Sequence, residues 1–236
     1  MKHGVILIPV LNLSISLIPC FFVIFFLFKW TKEFSNYIYA FIRMIGQLLI
    51  IGYILVFIFK AERWWIVILT LSFMSFTASW ISLRPVKNLR KHLYFRSVFS
   101  IITAGAVIIF IVTQVVLNIK PWFSPQEMIP LAGMIFSSSM NSISLASERF
   151  FSEIKKGNDY QTSRGIALKT GLIPITNTLF AVGLVSIPGI MTGQVLSGVS
   201  PLIAVRYQIM VLAMIFSASG LSTIIYLILL KNFKHD

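Results

Sequence analysis

Seven apolar stretches decide what this chain can become. They run roughly over 5–28, 40–59, 64–82, 97–117, 128–147, 172–196 and 203–230. Each is long enough to cross a hydrocarbon core of ~30 Å, which takes ~20 helical residues. Inside lipid a backbone must satisfy its own hydrogen bonds, and a single segment does that only as a helix. The expected fold class is therefore all-α, a polytopic membrane protein of about seven transmembrane helices. The connecting loops are too short for a soluble domain, so 1–236 reads as one transmembrane domain. Charged residues make up only 11% of the chain, against ~25% in a soluble protein.

The net charge of +13 would suit a nucleic-acid partner if it were spread over one surface. It is not. Of the 20 Lys and Arg, fifteen sit in the loops after spans 1, 3, 5 and 7. They are Lys29, Lys32 and Arg43, then Arg84, Lys87, Arg90, Lys91 and Arg96, then Arg149, Lys155, Lys156, Arg164 and Lys169, then Lys231 and Lys234. Positive loops stay in the cytoplasm. The N-terminus is expected outside and the C-terminus in the cytoplasm, as a multi-pass protein of the cell's inner (plasma) membrane. The charge is thereby explained by the lipid bilayer, with no nucleic acid. The single cysteine, Cys20, excludes an intrachain disulfide. Leu17-Ile18-Pro19-Cys20 faintly resembles a lipoprotein cleavage site. Pro19 is wrong for it, and the apolar run continues, so 5–28 reads as a retained span.

Span 6 and its flank, 174–210, are apolar but not plain. They hold Asn177, Gln194 and Gln208, and Pro174, Pro188-Gly189, Gly193, Gly198 and Pro201 interrupt them. Proline inside a helix removes a hydrogen bond and clashes with the preceding turn. A broken helix near 186–194 is expected. Transporters use such breaks to aim backbone groups at a substrate; a kinked, close-packed helix is the plainer alternative. In span 5, Gly133, Ser137, Asn141, Ser144 and Glu148 recur on one helix face. That face is either a packing seam or a pathway wall, with Met134 and Met140 as soft contacts. In span 2, Arg43 snorkels to the interface, and the deeper Gln47 needs a partner. Ser217–Thr223 reads as a small-residue seam. In the stretch 148–170, Asp159 or Thr162 is placed to cap a short surface helix ending near Gly171.

The absences matter too. All seven acids, Glu33, Glu62, Glu127, Glu148, Glu153, Asp159 and Asp236, fall in loops or at span ends. Carboxylate-driven carriers place such groups inside the bundle. His3, His92 and His235 form no cluster, and HExxH, a GxSG serine and a GxxxxGK[ST] phosphate loop are all missing. The chain is not expected to be an enzyme, and any ATP it uses must be hydrolysed by a partner.

GLVSIPGIMTGQ (183–194) followed by SGVSPLIAVRYQIMV (197–211) resembles the signature of the FetB-type family of ABC transporter permeases. RMIGQLLIIGYIL (43–55), IPLAGMI (129–135), ALKTGLIPITN (167–177) and SGLSTIIY (219–226) extend the likeness over about 40–228. The resemblance implies a permease that works with a separate P-loop ATPase subunit. ATP and Mg would bind that partner; no cofactor is bound by this chain. Bacterial members are linked to iron export and plant relatives to aluminium tolerance, and one complex to a nucleotide sugar. A homodimer with two ATPase subunits follows from the same likeness. The substrate pathway is then assigned to Gln47, Met140, Asn141, Asn177, Met191 and Gln194, and the hinge to Pro188 and Gly189. The ATPase-coupling loop is assigned to Glu153, Lys155, Asp159, Tyr160 and Arg164. No metal-ligand set is assigned. The chain departs from the family in a shorter loop before Pro174 that lacks an LxLGA-like stretch, and in Phe136-Ser137-Ser138-Ser139 after GMI. Two other readings stay open: a non-transporting membrane binding or regulatory protein, and an ATP-independent metal facilitator.

Overall fold

The computed structural model describes residues 9–31, 34–60 and 63–231. Residues 5–8 of the first expected span lie outside them. Every regular element among the described residues is helical. The chain divides into two compact units, Met1–Ala61 and Glu62–Asp236.

The first unit holds α1 (Val10–Ser16), α2 (Ile18–Thr31) and α3 (Phe34–Lys60). α1 and α2 form one apolar run with a joint at Leu17. Pro19 has no N–H to give the preceding turn, so the chain tightens there. Leu17 donates to the Ser14 carbonyl at 3.1 Å and Cys20 to the Leu17 carbonyl at 3.0 Å. Phe28 and Phe34 meet edge-on at 4.9 Å between centroids, where α2 turns into α3. Within α3, the Gln47 amide oxygen accepts from Arg43 Nε at 3.2 Å. The span-2 glutamine thus finds its partner one turn back on its own helix.

The second unit holds α4 (Trp64–Ser82), a 3₁₀ segment (Arg84–Leu89), α5 (Arg90–Phe110) ending in a π segment (Ile111–Val116), α6 (Pro125–Lys155), α7 (Tyr160–Ala181), α8 (Gly189–Leu196) and α9 (Pro201–Leu229). Pro125 and Pro201 open α6 and α9, at the one helical position where a missing N–H costs nothing. α6 is the axis of the unit, touching α4, α5, α7 and α9. Leu131, Ile135 and Ile143 on α6 are fully buried, with Ile101 on α5 and Tyr226 on α9.

Small residues set the spacing. A Cβ on Gly171 of α7 would lie 2.7 Å from the Ser142 backbone oxygen of α6 and 3.1 Å from Ala146 Cβ. Backbone cannot step aside, so only glycine permits this approach. Serines tie the helices across the same seams. Ser82 and Ser97 share a hydrogen bond at 2.9 Å between α4 and α5. Ser139 donates to the Ala218 carbonyl at 3.2 Å, and Ser147 and Tyr226 share one at 2.9 Å. From the first of these pairs to the second the chain advances equally on α6 and α9, so the two helices run parallel. The Ser217–Thr223 stretch is the packed seam its composition predicts, with Ala218, Ser219, Ser222 and Thr223 buried.

Three expectations change. Among the described residues, six helical stretches are long and apolar enough to cross a membrane: Leu11–Thr31, Phe34–Lys60, Trp64–Ser82, Arg84–Val116, Pro125–Lys155 and Pro201–Leu229. The expected span 172–196 is not among them. It is divided between the end of α7, an irregular segment and α8. Second, Asp159 does cap a helix, but the helix does not stop near Gly171. It continues through Pro174 to Ala181. Third, the packed face of α6 is Ile135, Ser139, Ser142, Ala146 and Ser147, whereas Ser137, Asn141 and Glu148 of the periodic polar face are exposed.

Gly171→Ala is expected to lower stability by about 1–3 kcal/mol, the usual range for overpacking a tight site. Gly46→Ala, where a Cβ meets nothing within 4 Å, should leave stability unchanged or raise it. Thermal unfolding of both variants in one detergent checks the contrast.

Candidate functional site

The chain between α7 and α9 is where the bundle departs from regular helix. α7 ends at Ala181, and the Ala181 carbonyl then collects three N–H groups. Leu184 donates at 3.2 Å, Val185 at 2.8 Å and Ser186 at 3.2 Å. Gly183 takes φ +82°, a conformation that favours glycine, and donates to the Ser186 carbonyl at 3.0 Å. Pro188 stands at the N-cap of α8 and its carbonyl accepts from Thr192 at 3.0 Å. α8 has eight residues, about 12 Å of helix at 1.5 Å per residue. It packs on α9, turning Ile190, Met191 and Gln194 inward while its other residues stay exposed.

A cleft of about 360 Å³ opens between this irregular segment and α9. Its walls are Val182, Gly183, Ser186, Ile187, Pro188 and Met191 on one side, and Val205, Gln208, Ile209 and Leu212 on the other. Gln208 is 5% exposed, and among the described residues nothing donates to its buried Oε1. Gln194 Oε1 is likewise buried without a partner. An unpaired buried acceptor costs about 1–3 kcal/mol. Ser219 Oγ and Thr223 Oγ1, further along α9, are the other buried side-chain oxygens without a partner among the described residues.

Of the residues assigned from sequence, Pro188 and Met191 line the cleft, and Gly189 and Gln194 lie on the helix that forms its wall. Asn177, on α7, is exposed and not in the lining. Met140 is half-buried against the core and Asn141 is exposed, both on α6. Gln47 belongs to the first unit. Gln208 completes the cleft although it carries no assignment from sequence. A glutamine within an apolar span was the available signal.

The end of the unit formed by α6 and α7 is braced rather than loose. α6 runs to Lys155 and a turn of four residues leads to α7. Glu153 is the hub of that turn, although it lies in a chain region full of cations: its carboxylate pairs with Arg149 at 3.0 Å and Lys156 at 2.9 Å, and accepts from Asn158 at 2.5 Å. Asp159 caps α7, accepting from the Gln161 and Thr162 backbone N–H groups. A Thr162 side-chain hydrogen bond, partly opposed by desolvation, together with those N–H groups holds the Asp159 carboxyl below its usual range. Tyr160 donates to the Leu227 carbonyl of α9 at 2.8 Å, and the Arg164 guanidinium lies 5.4 Å from the Tyr160 ring centre. Lys155 is exposed. Tyr160→Phe is expected to cost about 1 kcal/mol, the net worth of one hydrogen bond, read as a lower unfolding midpoint in detergent.

The model of the family described as "Uncharacterised protein family (UPF0014)" matches residues 10–233. The chain is 36% identical to "UPF0014 membrane protein slr1647" of Synechocystis, covering 77% of this chain and 76% of that protein. It is 35% identical to the Escherichia coli protein called "Probable iron export permease protein FetB", covering 78% and 75%. It is 31% identical to "Protein ALUMINUM SENSITIVE 3" of Arabidopsis thaliana, covering 79% and 72%. No solved structure matches it. With a family model spanning nearly all of its helices and relatives above 30% identity in bacteria and a plant, this multi-pass membrane protein belongs to the UPF0014 family.

Proposed function

We propose that this chain is the membrane-spanning subunit of an ABC-type exporter, driven by ATP that a separate P-loop subunit hydrolyses. The observation that carries the reading is the break from Val182 to Pro188, set between α7 and the eight-residue α8, with the amide oxygens of Gln194 and Gln208 buried and unpaired nearby. A static anchor gains nothing from such a break, whereas a protein that switches access across a membrane does. The cargo is a metal ion, iron by analogy with the E. coli relative's name. ATP and Mg reside on the partner.

In this mechanism the chain crosses seven times, its N-terminus outside and its C-terminus in the cytoplasm, and works as a homodimer with two ATPase subunits. The ATPase pushes on the turn carrying Glu153, Lys155, Asp159, Tyr160 and Arg164. Tyr160 hands that push to α9 through the Leu227 carbonyl, and α6 and α7 move with it. α8 swings about Pro188 and Gly189. Asn141, Met140, Asn177, Met191 and Gln194 supply neutral amide and thioether contacts along the route, which suits a cargo that is passed on rather than held.

Affinity purification from native membranes in mild detergent is expected to bring down a P-loop ATPase in near-equal amount. Recovery of this chain alone under every detergent condition rejects the reading. A second measurement addresses the hinge. A Cβ on Gly189 meets nothing within 4 Å, so Pro188→Ala with Gly189→Ala should fold normally. Transport of iron in vesicles carrying the whole complex is expected to fall at least tenfold, which corresponds to ~1.4 kcal/mol on the rate-limiting step. Unchanged transport removes Pro188 and Gly189 from the mechanism.

A further inference from the structure

The hairpin of α4 and α5 carries a surface that the transport mechanism does not use. The outer side of α4 is apolar throughout: Ile68, Leu69, Phe73 and Phe76 are exposed between Trp65 and Trp80, which are exposed as well. From Trp65 to Trp80 the helix rises about 22 Å, most of a ~30 Å hydrocarbon core. Tryptophan gathers where hydrocarbon meets water. A face that is apolar between tryptophans at its two ends is built for acyl chains. α5 continues it, with Phe95, Phe99 and Phe110 exposed. The Trp80 ring meets Tyr94 edge-on at 5.5 Å and Tyr94 meets Phe95 at 5.8 Å, so the rings join the two helices.

Just past Trp80 the chemistry reverses. Arg84, Lys87, Arg90 and Lys91 follow within a few residues. Arg90 is fixed in place, its Cζ 3.8 Å from the Trp80 ring centre and its Nε donating to the Trp80 carbonyl at 2.9 Å. Arg84, Lys87 and Lys91 are exposed, and Arg84 acts on Arg90 as a like charge. Among the described residues no carboxylate pairs with any of the four, and the sequence has no acid between Glu62 and Glu127. The turn between α6 and α7 lies at the same end of the unit, since Arg96 and Tyr160 donate to the Leu229 and Leu227 carbonyls of α9. That turn answers its own cations: Glu153 holds Arg149 and Lys156. The joint between α4 and α5 has no such acid. Residues 1–61 hold only Glu33, so the counter-charge has to come from outside the chain.

We propose that the α4–α5 hairpin binds an anionic phospholipid of the surrounding leaflet. Arg84, Lys87 and Lys91 hold its phosphate, and its acyl chains lie on the apolar face below Trp80. Arg90 positions the Trp80 ring between head and chains. No bond is made or broken. An acidic protein surface could also answer the cations, but it would leave the apolar face beneath them unmatched. A phospholipid supplies both halves in one molecule. The site rests on this chain alone and does not depend on the transport reading, since it needs neither a cargo nor an ATPase. A lipid held there fixes the depth of α4 and α5 at the end of the unit where the α6–α7 turn lies.

The test uses the full chain in phosphatidylcholine vesicles with a trace of photoreactive lipid, either phosphatidylglycerol or phosphatidylcholine, each with a diazirine near the head end of one chain. Crosslinks are located by peptide mass spectrometry. Each Lys or Arg near an anionic surface is worth about a fivefold preference. The phosphatidylglycerol probe is therefore expected to label peptides containing Trp80 or Phe95 at least about tenfold more than its neutral counterpart. Raising salt from about 0.1 to 1 M shortens the screening length from about 10 to 3 Å and should remove most of that preference in the unmodified protein. Arg84→Gln with Lys87→Gln and Lys91→Gln should bring it below about twofold, with the unfolding midpoint in neutral detergent unchanged. Lys155→Gln with Arg164→Gln and Lys169→Gln removes the same charge elsewhere in the unit and should leave the preference intact. Equal labelling by the two probes, a preference that withstands high salt, or one that survives the first triple variant would each overturn the proposal. So would an equal loss in the second variant, which would reduce the effect to net charge. Absence of label from the Trp80 and Phe95 peptides would give that face to protein, and a crosslink from Lys87 or Lys91 to a co-purified ATPase would give it the cations; either result rejects the lipid site.

Discussion

Everything in this fold follows from the need to satisfy backbone hydrogen bonds without water. In long helices that is automatic. Where the helix stops, the groups must be met some other way. The segment after Ala181 shows how: one carbonyl takes three successive N–H groups, and Gly183 folds back onto Ser186. The break thus meets the N–H groups of residues 182–186 from its own backbone, and close by the side-chain oxygens Oε1 of Gln194 and Gln208 are buried without a donor. The buried oxygens left without a donor here are therefore on side chains, one on α8 and one on α9.

The second unit is held by close approach more than by hydrogen bonds. Interhelical side-chain hydrogen bonds in membranes average about 0.6 kcal/mol. The ties from Ser82, Ser139, Ser147 and Tyr160 therefore fix register and direction more than they supply strength. Strength comes from dispersion, which requires contact distance, and contact distance between α6 and α7 exists because Gly171 faces the Ser142 carbonyl. The parallel register of α6 and α9 depends on the same economy of size, with Ala218 and Ser222 leaving room for Ser139.

Much of this was legible in the sequence because the bilayer imposes a coarse code. Apolar length predicted the long helices, and Ser217–Thr223 read correctly as a seam. The Asp159 cap was visible in its spacing from the residues after it. The limits of that helix were not. Pro174 suggests an interruption, yet the helix continues through it, because packing of Gly171 and Ile175 against the bundle outweighs one missing bond. The periodic face of α6 is not the one that packs within the chain: Ser137 and Asn141 are exposed, and periodicity cannot say which of two faces meets the neighbouring helices. The cleft could be anticipated only in part. Pro188 and Met191 are local to the broken motif, whereas Gln208 joins it through a helix further along the chain, and only the folded arrangement brings them together.

The divided stretch between α6 and α9 also bears on how the protein is made. α6 and α9 point the same way, so the chain must travel back along the bundle between them; α7 makes that return, and a bend and α8 follow before α9 begins. A continuous apolar helix can leave the insertion machinery for lipid by itself. A stretch with Lys169, Asn177 and a bend has little to gain from lipid until α6 is beside it and α9 has arrived to cover α8. The last third of the polypeptide must therefore enter the membrane as a group. A ribosome that stalls before α9 would leave this region exposed to quality-control proteases, however well the preceding helices had formed.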